Sequence, residues 1–123
     1  MAISMPGAID PQKGFAYTGG AYKYIKDMEI VKILQERCPL PITIGNDAKC
    51  AANAEVGFGC LKDVDDAAVI ILGTGIGGCI VRDGKVHIGK HFSSGEFSWM
   101  RTNGEDGNNL NVYGQLRMEF LAY

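Results

Sequence analysis

AAVIILGTGIGGCIVRDGKVHIG, residues Ala67–Gly89, is the stretch that decides the fold of this chain. Two apolar runs flank a glycine-dense turn, and a third short run follows Asp83-Gly84. Asp-Gly between apolar runs is a favoured two-residue hairpin turn. The stretch therefore predicts strands on both sides of the glycine turn, and a hairpin that continues from the second strand.

The glycine turn also matches the pattern Gly73-x-Gly75-x-x-Gly78 of dinucleotide-binding proteins. That fingerprint must open a helix, and here a strand follows, so we reject a dinucleotide fold. The remaining interpretation is a phosphate site, because a turn poor in β-carbons exposes backbone N–H groups and Thr74 adds a hydroxyl donor. The alternative is a tight turn that requires positive φ angles.

Upstream of this stretch, a strand leads directly into a helix. Ile42-Thr43-Ile44 is extended after two prolines, and an alanine-rich segment follows Asn46-Asp47 and ends at Gly57-Phe58-Gly59. Asp47 at such a corner can act as a general base for a substrate hydroxyl, and Asn46 can both donate to and accept from a polyol. The alternative is that one of the two only caps the helix.

The remaining segments are predicted from local pattern. Met1–Met5 is a strand that Pro6-Gly7 turns, and residues 10–14 and 15–20 are loop and irregular structure. An amphipathic helix of about four turns starts at Ala21, since apolar residues recur there every three positions. Downstream, Glu96 follows Gly95 and is either a surface residue or a second functional carboxylate. Residues 103–111 are a polar loop, and residues 115–123 begin a helix.

Composition excludes several classes of protein. The chain has 123 residues, a net charge of −2 and no basic cluster, so neither nucleic acid nor an anionic membrane is an expected partner. No run is long enough to span a bilayer and no signal peptide is visible, which makes the cytoplasm the expected location. Reduced thiols and no metal site are expected from the four cysteines, whose spacing fits no zinc motif (Cys38, Cys50, Cys60, Cys79).

Taken together, these candidates provide the parts that phosphoryl transfer to a hydroxyl needs: a base, a hydroxyl-binding amide, a phosphate turn and a second carboxylate. Their order along residues 1–100 resembles the ROK family of bacterial sugar kinases and repressors. The motifs that carry the resemblance are Pro6-Gly7-x-x-Asp10, Asn46-Asp47-Ala48, Gly73-Thr74-Gly75-Ile76-Gly77-Gly78, Asp83-Gly84 and Gly95-Glu96.

The resemblance implies an α/β, actin-like (ribonuclease H-like) ATPase fold, here partial, in which two lobes flank a cleft. Residues 1–53 would end the N-terminal lobe, and residues 54–123 would begin the C-terminal lobe. Asp47 is then the catalytic base. The sugar ligands are Gly7, Asn46 and Glu96, and the residues that face ATP are Gly73, Thr74, Gly75, Gly77 and Gly78.

The implied function is transfer of the ATP γ-phosphate to a hydroxyl of a hexose or hexose derivative, such as glucose or a β-glucoside, with Mg²⁺ on the phosphates. The implied assembly is a homodimer. Alternatives are a sugar-responsive repressor of the same family and a non-catalytic small-molecule-binding domain. Both ends of the chain suggest an internal piece of a longer protein, which alone would be inactive.

This sequence departs from the family pattern in three respects, one of which is that the rest of the C-terminal lobe, which would hold the base of the nucleotide, is absent. The first phosphate loop of the family is absent, and Gly95-Glu96-Phe97-Ser98-Trp99 stands where the family has Gly-Glu-x-Gly-His. Trp99 therefore occupies the position of a sugar-binding and sometimes zinc-linked histidine, and no zinc is expected. The indole of Trp99 either stacks on a sugar face or packs in the core.

Overall fold

The computed structural model describes residues 1–73 and 75–99, and these form a mixed α/β structure, as the sequence predicts. In chain order the elements are β1 (Ala2–Met5), β2 (Ile9–Asp10), β3 (Phe15–Thr18), β4 (Lys26–Met28), α1 (Ile30–Gln35), β5 (Thr43–Asn46), α2 (Asp47–Phe58), β6 (Ala67–Leu72), β7 (Ile76–Arg82), β8 (Lys85–His87) and a 3₁₀ turn (Phe97–Trp99). The loop and helix predicted at 103–111 and 115–123 lie outside the described residues, as does Thr74.

The strands form three small sheets. β1 and β5 pair in parallel, with Met5 opposite Asn46 at their ends. The other two sheets are antiparallel, in the orders β2-β3-β4 and β6-β7-β8. Within the described part of the chain, no helix combines the length and apolar character needed to cross a membrane.

The strands predicted from Ala67–Gly89 are confirmed. β6 and β7 pair from Ala67 opposite Val81 to Leu72 opposite Ile76, and β8 continues the meander. Asp83 and Gly84 join β7 to β8 with φ angles of 51° and 66°. Two successive left-handed residues are the signature of the type I′ turn, whose twist matches that of the flanking strands.

Helix α2 is also confirmed, including its ends. Asn46 is the N-cap residue, and its side chain accepts a hydrogen bond from the backbone N–H of Lys49. Gly59 is the C-cap residue, and its N–H donates to the Glu55 carbonyl at 3.0 Å. The strand that leads into Asn46 is β5, so the predicted strand-to-helix corner exists.

The four-turn helix predicted from Ala21 is wrong. The segment instead forms strand β4 and then α1, which has only six residues. Pairing with β3 decides the difference: Met28 lies opposite Ala16, and Asp27 has a φ of 49°, which no helix tolerates. The segment predicted as irregular at 15–20 supplies β3 for this pairing. Apolar residues at every third position therefore belong here to a strand and then a short helix, and not to one long helix.

Two apolar clusters hold these elements together. The first lies between the two N-terminal sheets and α1 and contains five buried residues (Met5, Ile9, Ala16, Ile42, Ile44). The second joins α2 to the β6-β7-β8 sheet through Ala52, Cys79 and Val81, which are 0–1% exposed. Because Ala52 carries only a methyl group, helix and sheet approach closely along this contact.

We predict that Gly84→Ala destabilises the protein by about 1 kcal/mol, because a β-carbon is unfavourable at its φ of 66° although no atom lies within 4 Å of that β-carbon. Gly57→Ala is the matched control, since its β-carbon would also meet open space but its backbone is helical. That variant should gain about 0.5 kcal/mol. Urea unfolding measures both, and equal effects would contradict the assignment of the turn.

We also predict that Ala52→Leu destabilises the protein by about 2 kcal/mol or more, because no space exists for the larger side chain between α2 and the sheet. Ala54→Leu on the exposed face of the same helix is the control, and it should change the free energy of unfolding by less than about 0.5 kcal/mol. Similar values for the two variants would show that the helix does not pack on the sheet through Ala52.

Candidate active site at the start of helix α2

The side chain of Asn46 joins the start of α2 to the turn after β1. Its Oδ1 accepts from the Lys49 N–H and its Nδ2 donates to the Gly7 carbonyl, each at 3.1 Å. Asn46 is only 7% exposed. An amide has two N–H donors and two acceptor lone pairs, so one of each remains for a ligand. The capping role predicted for one member of the Asn46-Asp47 pair therefore belongs to Asn46.

Gly7 can only be glycine at its position. Its φ is 109°, and a β-carbon there would lie 2.0 Å from the Thr18 carbonyl oxygen. This close approach directs the Gly7 carbonyl to Asn46 Nδ2. The two predicted sugar ligands Gly7 and Asn46 are therefore in direct contact, although 39 residues separate them in sequence.

Asp47 is the first residue of α2 and is exposed to solvent. Its Oδ1 accepts a hydrogen bond from the N–H of the next residue, Ala48, at 2.9 Å. The positive end of the helix dipole favours a carboxylate at this position. Because Asn46 caps the helix, Asp47 is left with an accessible carboxylate that is oriented by the backbone, as a base acting on a substrate hydroxyl must be.

Glu96 reaches the same helix through an ion pair with Lys49. The Nζ of Lys49 lies 3.1 Å from Glu96 Oε1, and the two side chains are 6% and 25% exposed. Glu96 is therefore not a freely solvated surface residue, which was the alternative considered from its sequence. It is held one turn from Asn46 on the side of α2 that faces the segment 95–97.

The glycines of β7 bring the hairpin to the same place. A β-carbon on Gly77 would lie 3.1 Å from the Ala48 side chain, so the start of β7 lies against the first turn of α2. A β-carbon on Gly78 would lie 2.3 Å from Phe97 Cδ2. Gly95 has a φ of 73° and packs on the backbone of Cys79. These contacts place Glu96 next to β7.

The tip of the hairpin is shorter than the glycine pattern suggests. Gly77 and Gly78 lie inside strand β7, and Gly73 and Gly75 are joined by a backbone hydrogen bond of 2.9 Å from the Gly73 N–H. That N–H is therefore already used. Gly77 and Gly78 make close packing contacts within β7 rather than forming the turn itself, and their predicted contact with phosphates stays a prediction. Thr74 at the tip lies outside the described residues.

A cavity of about 320 Å³ lies beside the start of α2. Asn46, Lys49 and Cys50 form its helix wall together with Asn53, and residues of β1 and β5 face them. Positions 46, 49, 50 and 53 recur at the period of a helix, so one stripe of α2 lines the cavity. Asn46 and Lys49 therefore line this cavity, whereas Gly7, Asp47 and Glu96 are not among the residues around it.

Lys49 is a candidate site residue that the sequence did not point to, and it contacts the predicted ligand Glu96. It is only 5% exposed. Burial raises the pKa of the Cys79 thiol, and the nearby positive charge of Lys49 acts in the opposite direction. The one available signal is its spacing: Lys49 follows the N-cap by three residues, on the face of the helix that also carries Ala52. A cation among alanines on a packed face must have a partner.

Comparisons with known proteins identify the family of this chain. The profile of the ROK family matches residues 1–109. A β-glucoside kinase from Listeria monocytogenes is 38% identical over 100 residues, which are 81% of this chain and 34% of the kinase. The structure of a ROK family glucokinase from Streptomyces griseus, in complex with glucose and AMPPNP, matches with a TM-score of 0.69 at 29% identity, over 79% of this chain and 31% of the glucokinase.

A transcriptional regulator also matches, at lower identity. The DNA-binding transcriptional dual regulator NagC of Escherichia coli is 27% identical over 96 residues, which are 78% of this chain and 23% of the regulator. The matched part of this chain spans only about a third of the length of the Listeria β-glucoside kinase. Since the family profile covers most of its residues, the chain belongs to the ROK family.

Proposed function

We propose that this chain is part of an ATP-dependent sugar kinase that transfers the γ-phosphate of ATP to a hydroxyl of a hexose or hexose derivative. One observation supports this most strongly: the predicted base lies in the first turn of α2, and the predicted sugar ligands and the hairpin contact that same turn. Asn46 contacts Gly7, Lys49 contacts Glu96, and Ala48 contacts Gly77. Such convergence suits phosphoryl transfer, whose catalysis consists of positioning and charge stabilisation.

Asp47 is the proposed catalytic base. It is exposed at the helix N-terminus and lies between Asn46 and Ala48, the residues that contact the sugar-side turn and the hairpin. A hydroxyl bound by the free groups of Asn46 would be within reach of the neighbouring carboxylate. Asp47 accepts the proton of that hydroxyl while the hydroxyl oxygen attacks the γ-phosphorus and the bond between the γ-phosphorus and ADP breaks.

The hairpin tip between β6 and β7 is the proposed contact for the phosphates of ATP. Gly77 lies against Ala48, so phosphates bound at the tip would approach Asp47 along β7. Backbone N–H groups and the Thr74 hydroxyl would be the donors. Gly73 contributes less than the sequence pattern suggests, because its N–H is already bonded to the Gly75 carbonyl.

Mg²⁺ would be carried into this site by ATP, and it would not be held by a set of protein side chains alone. Among residues 1–73 and 75–99, no three histidine, cysteine or acidic side chains converge as metal ligands. Mg²⁺ on nucleotides keeps several waters and binds mainly through phosphate oxygens, so it needs few protein ligands and leaves Asp47 free to act as the base. Bound to those oxygens, the ion would neutralise charge on the phosphates.

The substrate class follows from the relatives that match at higher identity. The Listeria β-glucoside kinase is 38% identical, and the regulator NagC is 27% identical. This difference favours a kinase over a repressor and favours glucose or a β-glucoside as the acceptor. Two lobes divided near residue 53, a homodimer and a cytoplasmic location remain part of the same proposal.

We predict that Asp47→Asn lowers kcat for sugar phosphorylation by at least about a hundredfold, because an amide cannot accept the hydroxyl proton. The full-length gene product is assayed for ADP release with ATP, Mg²⁺ and either glucose or cellobiose. The KM for sugar should change little, since the amide has the size of the carboxylate. Circular dichroism checks that α2 is intact.

Asp63→Asn is the control, since Asp63 is exposed in the loop between α2 and β6. It should leave kcat unchanged. Wild-type turnover in Asp47→Asn would remove Asp47 from the role of base. Sugar binding by the wild-type protein without any ADP release would contradict the kinase and favour a regulator or a binding domain.

A further inference from the structure

We propose that Lys49 is a positioning residue that sets the geometry between two sugar ligands, Glu96 and Asn46. It does so with two different groups: its ammonium donates to Glu96 Oε1, and its backbone N–H donates to Asn46 Oδ1, each at 3.1 Å. This inference rests on the proposed function, because it assigns Lys49 a part in binding the sugar acceptor.

The burial of Lys49 argues that the ion pair is specific. Its side chain is 6% exposed, and Glu96 at 25% exposure is a carboxylate within hydrogen-bond distance of it. A buried ammonium is unfavourable without a partner, so the side chains are held together rather than sampling solvent. Exposed pairs in this chain, such as Lys32 with Glu29, lack that constraint.

The backbone on both sides of Glu96 is also held in place by close packing. Gly95 packs on the backbone of Cys79, and Phe97 packs on Gly78, with no room for a β-carbon at either glycine. Glu96 therefore starts from a fixed backbone position, and Lys49 starts from the first turns of α2. The salt bridge restrains the remaining freedom, which is the orientation of the carboxylate.

This arrangement has a consequence for acceptor specificity. An ionised carboxylate only accepts hydrogen bonds, and with one lone pair of Oε1 directed at Lys49, Oε2 keeps both of its acceptor positions for a ligand. The oriented carboxylate of Glu96 would then accept a hydrogen bond from one hydroxyl of the sugar. A site with a charged, oriented acceptor discriminates strongly against an analogue that lacks the corresponding hydroxyl, because the acceptor is then left unpaired.

The test compares Lys49→Met with wild type in the full-length protein by steady-state kinetics. Methionine has a similar length and no charge, so Glu96 loses its anchor. We expect the KM for the sugar that supports turnover to rise about tenfold or more, with the KM for ATP within about twofold. Lys49→Arg, which restores a cation and its donors, should recover part of the loss. Lys62→Met, at an exposed lysine, is the control.

Monodeoxy analogues of that sugar give a readout that a purely structural role would not change. Wild type should reject one of the 1-, 2-, 3- or 4-deoxy forms far more than the others. Lys49→Met and Glu96→Gln should both reduce that discrimination, and the double variant should add little to either, since both act on one interaction. Thermal unfolding checks each variant, and Lys49→Gln replaces Lys49→Met if the latter does not fold.

The outcomes separate the two proposals. An active wild type whose KM and deoxy-sugar discrimination are unchanged by Lys49→Met overturns the role of Lys49 and leaves the kinase intact. A rise in the KM for ATP equal to that for sugar also overturns it, because the effect would then be general. A wild type that releases no ADP with any sugar of the panel overturns the proposed function and this inference with it.

Discussion

The close contact between α2 and β7 is the constraint on which the rest of the site depends. No side chain separates them at Gly77, where a β-carbon would lie 3.1 Å from Ala48, and one turn further on Ala52 is fully buried with Cys79. Larger residues would push the helix away from the sheet. The small residues therefore set where the N-terminus of α2 lies, and with it the position of Asp47.

A division of roles at this N-terminus follows from its hydrogen bonds. A helix start leaves four backbone N–H groups without partners inside the helix, and the side chain of the N-cap residue accepts from one of them. Asn46 is that residue here and also reaches Gly7, so its amide fixes the helix and the turn after β1 together. Asp47 accepts only the N–H of its neighbour Ala48 through Oδ1, and its side chain stays exposed to solvent.

The local predictions succeeded where short-range chemistry decides the structure. Asp83-Gly84 adopts the left-handed turn that joins two strands, and the Asn46 cap begins the helix where the pattern placed it. The helix predicted from Ala21 failed because apolar spacing does not distinguish a helix from a strand followed by one helical turn. Pairing between β3 and β4 decided that choice, and it links segments that are separate in sequence.

By itself, the sequence determined the strand-turn-strand meander, the strand-to-helix corner and the membership of the chain in the ROK family. The first two depend on turn preferences and capping, which act within a few residues, and the third depends on the order of short motifs along the chain. Only the tertiary structure decided that Gly77 and Gly78 are packing residues and that Lys49 is buried against Glu96. Those facts arise from contacts between residues about 20 to 50 positions apart. The sequence pattern of each segment alone contains no information about which distant segment it will meet.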